Sequence, residues 1–335
     1  MRIGVTYDLR KEYLAAGFTK EQTAEFDRPE TIDAIANAIT AIGHQVDRIG
    51  NLQNLMQRLL NGDRWDLVFN IAEGLYGLGR EAQVPALLDA YQIPYTFSDP
   101  LVLSLTLHKG MAKQVVRDAG VPTPDFFVIE RESDIAQVRL PFPVFVKPVA
   151  EGTGKGITAA SRVTDSTQLN LVCRQLLRMF QQPVLVETYL PGREFTVGIT
   201  GTGPDAKAIG AMEVVLAAHA EPGAYSFENK EHYKGRVDYQ LAAQPIARVV
   251  NSVALNAWRS LNCRDAGRVD IRLNAAGRPM FLEVNPLAGL DPERSDLSIL
   301  CGLVGISYQS LIAGIVDSAL RRIDHAGTRK QLGAA

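Results

Sequence analysis

The sequence predicts an α/β protein that turns α+β from Thr188 onward. Three observations carry that expectation. Strand-like runs alternate with helical patterns through the first hundred residues or so, which implies a parallel sheet covered by helices. After Thr188 the strands follow one another instead of alternating. The length of 335 residues exceeds one ordinary core and suits two or three domains of about 100–150 residues each.

Residues 3–7 read as the first strand. Residues 30–42 follow as a helix, because Ile32, Ile35, Ala36 and Ile39 recur at helical spacing, and Gly43 ends it. Residues 46–49 and 67–70 read as further strands around a helix at 52–60. Ligands collect beyond the carboxyl ends of such strands, where residues 70–81 form a loop. Ser98-Asp99-Pro100 marks a boundary. Beyond it come a helix at 109–119 ended by Gly120, strands at 126–129 and 144–147, and a glycine-rich loop. A strand at 157–160, a helix at 167–180 and a strand at 184–187 complete that part. Strands at 195–199 and 208–215 open the last part. Pro245 suits the first turn of a helix reaching about residue 261, since its missing N–H has no helical partner to lose there. Residues 269–273 and 280–285 form a hairpin across 274–277, and 308–323 is an amphipathic helix.

Composition excludes several function classes. A net charge of −2 gives no field for collecting polyanions, so nucleic acid is not an expected partner. Cys173, Cys263 and Cys301 are odd in number and form no Cys-x-x-Cys pair, which argues against a disulfide scaffold or a structural zinc. The N-terminus lacks the features of a signal peptide, and the apolar run at 299–306 is too short to span a bilayer. A soluble, cytoplasmic protein without a membrane partner is expected. His44, His108, His219, His232 and His325 show no metal spacing, and His219 and His232 are expected on a solvated loop.

Three segments carry chemistry. The first is Arg268-Val269-Asp270-Ile271-Arg272 with Phe281-Leu282-Glu283-Val284-Asn285-Pro286. Alternate strand residues share a face, so Glu283 and Asn285 face one side while Leu282 and Val284 turn into apolar packing. Pairing brings Asp270 beside Glu283, with Arg268 on the same face. Two carboxylates and an amide oxygen suit Mg²⁺ rather than Zn²⁺. A solvated polar hairpin is the alternative, disfavoured because acids set among Val, Ile and Leu are costly without a partner.

The second segment runs from Lys147-Pro148 through Glu151-Gly152-Thr153-Gly154-Lys155-Gly156-Ile157. Its glycines let backbone N–H groups approach phosphate oxygens, and Lys147 at the end of an apolar strand needs an anionic partner. It is neither a Walker A loop nor a dinucleotide fingerprint, since a strand is expected to follow. A flexible hairpin tip is the alternative. The third segment, Val186-Glu187-Thr188-Tyr189-Leu190-Pro191-Gly192-Arg193-Glu194, fits an adenosine slot. Main-chain groups from Thr188 to Leu190 would meet the adenine edge and Glu194 the ribose hydroxyls. Simple connector charges are the alternative there.

In this order the three segments resemble the D-alanine–D-alanine ligase branch of the ATP-grasp superfamily, over nearly the whole chain. Phe69-Asn70, Ile93-Pro94-Tyr95-Thr96, Lys109 opening a helix and Gly120-Val121-Pro122-Thr123-Pro124 add to the likeness. The resemblance implies a three-domain ATP-grasp fold, with a substrate domain at 1–97, a central domain at 98–187 and a C-terminal domain at 188–335. ATP would lie between the last two, with Mg²⁺ as two ions. By position Lys109 and Lys147 match phosphate-binding lysines, and Gly152 and Gly154 lie in the loop where Thr153 takes the place of a serine. Glu187 and Glu194 match nucleotide-binding acids, and Lys230 a lysine on a closing loop. Asp270, Glu283 and Asn285 match the Mg²⁺ ligands, and Arg268 the arginine that stabilises a tetrahedral intermediate. Gly289 with Ser295 lies where a substrate carboxylate is held.

The implied reaction phosphorylates an acceptor oxygen, after which an amine attacks and phosphate leaves. Small-molecule substrates are therefore expected, an amino acid and an acceptor carboxylate or enolic ketone, in a homodimer. The departures fall on the acceptor side. Glu73-Gly74 stands where the family has His-Gly, Gly79-Arg80-Glu81 replaces an acidic stretch, and Glu231 replaces a tyrosine. Pro286-Leu287-Ala288-Gly289 lacks the usual Pro-Gly, and the amine-anchoring acid matches either Glu25 or Asp27. Two further readings stand beside this one: a ligase attaching an amino acid to a mycosporine-like acceptor, and a nucleotide-binding scaffold without turnover.

Overall fold

A computed structural model describes residues 1–217, 229, 233 and 235–332, with residues 324–332 given by their main chain alone. Three sheets organise it. The first is built from β1 (Arg2–Thr6), α1 (Arg10–Ala15), α2 (Pro29–Ala41), β2 (Gln45–Gly50), α3 (Leu52–Leu60), β3 (Leu67–Asn70) and α4 (Gln83–Ala90). Its strands run parallel in the order β2-β1-β3, as the alternation predicts. Alternation along the strands sorts the packing. Ile3, Val5, Leu67 and Phe69 meet Ile32, Ile35 and Ile39 of α2. Ile49 and Val68 meet Leu55 and Leu59 of α3 and Leu88 of α4 on the other face.

The chain continues through α5 (Pro100–Leu107) and α6 (Lys109–Asp118) into β4 (Phe126–Ile129), β5 (Val144–Pro148), β6 (Arg162–Val163), α7 (Ser166–Phe180) and β7 (Val184–Thr188). These strands form an antiparallel sheet ordered β4-β7-β5-β6, with Leu169, Cys173 and Leu176 of α7 in its core. The strand expected at 157–160 is not there. Ala159–Ser161 is a 3₁₀ turn closed by a capping box, in which Thr158 accepts from Ala160 N and Ser161 Oγ accepts from Thr158 N. The hydroxyls of Thr158 and Ser161 satisfy the backbone locally, so strand pairing begins only at Arg162.

The last sheet contains β8 (Glu194–Thr200), β9 (Lys207–Leu216), β10 (Val237–Leu241), α8 (Gln244–Ser260), β11 (Ala266–Leu273) and β12 (Pro279–Asn285). It is antiparallel, ordered β10-β9-β8-β11-β12, and α8 buries Val250, Ala254, Ala257 and Trp258 against it. Two helices follow, α9 (Asp296–Leu303) and α10 (Tyr308–Leu332). Leu311, Ile312, Ile315 and Val316 of α10 pack into the first core, against α2. Among the described residues no single helix is long and apolar enough to cross a membrane. Cys173, Cys263 and Cys301 are buried and free.

One buried acid ties these parts together. Asp265 is fully buried in a left-handed backbone conformation (φ +63°), which Asp tolerates better than most side chains. Its Oδ2 accepts from Phe97 N at 2.7 Å and from Arg322 Nη2 at 2.6 Å. Its Oδ1 accepts from Ser318 Oγ at 2.8 Å and Arg322 Nε at 3.0 Å. The main chain after the first sheet, the β8–β9 turn through Thr202 at 3.2 Å, and α10 therefore meet on one carboxylate. Asp265→Ala leaves Arg322 and the Phe97 N–H without their partner and is expected to cost about 3–5 kcal/mol. The measurement is the urea midpoint, and a shift within the scatter of surface substitutions would contradict this role.

Candidate active site

The hairpin of β11 and β12 places Asp270 opposite Glu283 and Arg268 opposite Asn285. Side chains on neighbouring rungs of one face lie within reach of one another. Asp270 also pairs with Thr196 across the β8 ladder, and the Thr196 hydroxyl donates to its Oδ1 at 2.9 Å. Arg268 forms an ion pair with Asp270 and lies 3.8 Å from Asp296. Burial opposes the Arg268 charge, but Asp270, Asp296 and Glu283 outweigh it and push the guanidinium above its usual value. Leu282 does not join Val284 in the core as alternation predicts. The ladder runs from Asp270↔Glu283 to Ile271↔Phe281, so Leu282 is the extra residue of a bulge. A bulge re-aims its side chain, and Leu282 lines the cleft instead.

Opposite the hairpin lie buried cations. Lys109 is the first residue of α6, behind an N-cap at His108. Its Nζ donates to Glu151 O at 2.6 Å and sits 3.6 Å from Glu283 Oε2. Lys147 ends the apolar strand β5, with Nζ 2.9 Å from Glu187 Oε1 and 3.9 Å from Glu283 Oε2. Lys113, one turn along α6 and fully buried, holds the other Glu187 oxygen at 2.8 Å. Burial brings the Lys113 ammonium down to about 8, with Glu187 opposing. Burial works against a charged Glu187 as well, yet Lys113 and Lys147 hold its carboxyl below the usual range.

These groups surround a cleft of about 70 Å³, whose wall includes Lys109, Lys147, Gly154, Glu187, Glu194 and Glu283. Thr188, Leu190 and Asp270 also line it, and Arg272 holds Glu194 at 3.3 Å. Among the described residues no group of three or more His, Cys, Asp or Glu side chains is arranged to hold a metal ion by itself. Asp270, Glu283 and Asn285 offer two carboxylates and one amide oxygen, so a cation there completes its shell with oxygens from elsewhere. That donor set fits Mg²⁺ with a bound phosphate. The lysines beside it supply the positive charge that a polyphosphate requires.

A second cavity of about 90 Å³ contains Gly152, Thr153, Arg268, Asn285 and Gly289. A third of about 180 Å³ adds Ser295, beside Arg10, Asp27 and Arg294. Gly289 faces Ser295 closely, for a Cβ there would stand 2.9 Å from Ser295 Oγ. The loop after β3 closes the second cavity. Gly74 N donates to the buried Asp8 at 2.9 Å, and Gly74 has a φ of +70° with Arg80 O where its Cβ would be. Arg80 donates to Ala150 O at 2.8 Å and lies 3.1 Å from Glu25, which Lys155 meets at 2.8 Å. Burial would raise the Glu25 carboxyl, but Arg80 and Lys155 bring it down to about 2. Burial raises Asp27 well above the usual range, helped by Asp8 and Asp291. It also raises Glu81 to about 7 despite Arg80, and burial raises Glu73 well above the usual range, helped by Glu81 and Glu25.

The residues picked from the sequence thus converge on three adjoining cavities, with one exception. Lys230 lies outside the described residues, as do His219, His232 and Glu231. Of the two candidates for the amine-anchoring acid, Glu25 lines both the second and the third cavity, already held by two cations, whereas Asp27 lines only the third. Lys113, Arg80 and Lys155 were missed as parts of the charge network. Lys113 was legible, since it stands four residues after Lys109 on one helix face.

The family model described as D-ala D-ala ligase C-terminus matches residues 115–317. The chain is similar to the uncharacterized protein y4sG of Sinorhizobium fredii, 32% identical over 308 residues and 87% of each chain. It is also similar to the D-alanine–D-alanine ligase of Bordetella petrii, 32% identical over 264 residues and 77% of each chain. Its fold is similar to the D-alanine–D-alanine ligase structure from Bacillus anthracis complexed with ATP. That match has a TM-score of 0.71 at 21% identity and covers 97% of this chain and 99% of that one.

Lys113→Met removes one of the two cations on Glu187 at a fully buried site and is expected to cost about 3 kcal/mol in urea unfolding. Adding Glu187→Gln should recover part of the loss. Additive losses in the double variant would show that the two side chains do not interact.

Proposed function

The chain belongs to the D-alanine–D-alanine ligase family, and on that premise we propose that it joins the amine of an amino acid to an acceptor whose oxygen is first phosphorylated. It is an ATP-grasp carbon–nitrogen ligase that uses ATP and Mg²⁺ and forms ADP and phosphate. The observation that carries the finer reading is the facing of the Asp270–Glu283 rung by Lys109 and Lys147 across one cleft. That arrangement positions a polyphosphate beside Arg268, which points the transferred group toward the second cavity.

In this reading the main chain at Thr188 and Leu190 borders the adenine, and Glu194, steadied by Arg272, meets the ribose. The N–H groups of the Gly152–Gly154 loop and the two lysines bind phosphate oxygens and align the terminal phosphoryl group. Mg²⁺ held by Asp270, Glu283 and Asn285 would neutralise phosphate charge. Gly289 and Ser295 hold the acceptor's carboxylate, and Thr153 closes the loop over it. Arg268, oriented by Asp270 and Asp296, stabilises the oxyanion that forms when the amine attacks.

The acceptor pocket differs from that of a cell-wall ligase. Glu73, Arg80 and Glu81 bring charge to the loop that closes the second cavity. The acceptor is therefore an oxygen acid or enol other than D-alanine.

The test is ADP release with Mg-ATP against a panel of D- and L-amino acids, alone, in pairs, and paired with carboxylic-acid and enolic-ketone acceptors. Arg268→Lys should lower kcat by roughly 100- to 1000-fold with little change in KM for ATP. Absence of ADP release with every pair would contradict the reading, and fastest turnover with D-alanine alone would contradict the altered acceptor pocket.

A further inference from the structure

Four glutamates border the second cavity, and their charges are unequally met. Glu25 and Glu151 share Arg80 and Lys155. Glu73 and Glu81 accept no hydrogen bond and form no ion pair among the described residues, although Glu81 is only 9% exposed and both line the cavity. Unpaired carboxylates are costly where water is scarce, and the cations nearest Glu81, which are Arg80, Lys109 and Lys155, are bonded to other acids. A metal ion does not suit Glu73 and Glu81, since no third acid or histidine completes a ligand set. An organic ammonium does, and the cavity also contains Thr153, Arg268 and Gly289, where the proposed function places the activated acceptor.

We propose that Glu81, with Glu73 beside it, seats the ammonium of the attacking amine and takes one of its protons. The inference rests on the ligase reading above. The ammonium transfers one proton to the Glu81 carboxylate, which frees the nitrogen lone pair. Nitrogen attacks the carbon bearing the phosphorylated oxygen, the C–N bond forms, the C–O bond to phosphate breaks, and the second proton leaves with phosphate. Glu81 returns its proton to solvent when products depart. Glu25 does not compete for the role, because Arg80 and Lys155 already neutralise it.

The groups facing Glu81 are Arg80, Glu25, Glu73, Lys109 and Lys155, and burial dominates them in raising its carboxyl to about 7. A general base works best near the ambient pH. Below that value Glu81 is protonated and cannot accept, so amine-supported turnover should fall as pH drops through it.

The test compares wild type, Glu81→Gln and Glu73→Gln in Mg-ATP-dependent ADP release. One set supplies a pool of D- and L-amino acids as amines, with amino acids, other carboxylic acids and enolic ketones as acceptors. The other adds hydroxylamine, which is already neutral at neutral pH and needs no base. Glu81→Gln should lose amine-supported release by roughly 100- to 10,000-fold, keep hydroxylamine-supported release within a few-fold, and recover at alkaline pH. Retained amine-supported release would overturn the role of Glu81 and leave the ligase reading intact. Equal loss of both would overturn it as well, marking Glu81 as structural. No release from wild type in either set would overturn the ligase reading and this inference together.

Discussion

Everything at the cleft depends on one buried line of alternating charge, Lys113–Glu187–Lys147–Glu283–Lys109. Its members come from α6, β7, β5 and β12, so it stitches the antiparallel central sheet to the edge of the last one. None of these charges can be desolvated alone without a large cost, and each is tolerable only when its neighbours arrive with it. The elements that carry them are therefore committed to one arrangement. Ion pairs of this kind are poor contributors to net stability compared with apolar packing. Their use here is positional, because they hold ammonium groups rigid and dry where a polyphosphate must be met.

A second charged assembly links the first sheet to the glycine-rich loop. Glu25 sits between Arg80 and Lys155, and a Cβ at Gly152 would collide with Glu25 Oε1. Gly152 is thus required by close approach of an acid from another part of the chain, in addition to any need for backbone freedom. The glycine-rich loop and the loop after β3 are joined through this triad.

The elements legible in the sequence were those with a local signature. The 3.6 spacing of Ile32, Ile35 and Ile39, the alternation in β11 and, apart from Leu282, in β12, and the lysine ending β5 each report burial on one side. Asp270 and Glu283 could be matched because hairpin pairing is short-range. The illegible parts are long-range or uniformly apolar. The helices α5 and α9 are apolar nearly all round, so periodicity gives no face to read. The bulge at Leu282 depends on pairing with a partner strand, and the pairing of Glu25 with Arg80 and Lys155 joins residues 55 and 130 positions apart. No pattern within one segment encodes such contacts. The misplaced strand at 157–160 shows the converse, since two hydroxyls satisfied the backbone before a ladder could.

The packing of α10 on α2 has a bearing on the life of the chain at the ribosome. The first sheet leaves one face of α2 bare until Leu311 to Val316 arrive from more than two hundred residues downstream. Synthesis is vectorial and domains tend to fold as they emerge, but this one is sealed by a helix made long after it. The nascent chain must carry an open apolar face while the other two sheets assemble. The first sheet is thus translated before the other two and finished after them, and two distant stretches of the polypeptide mature as a single body.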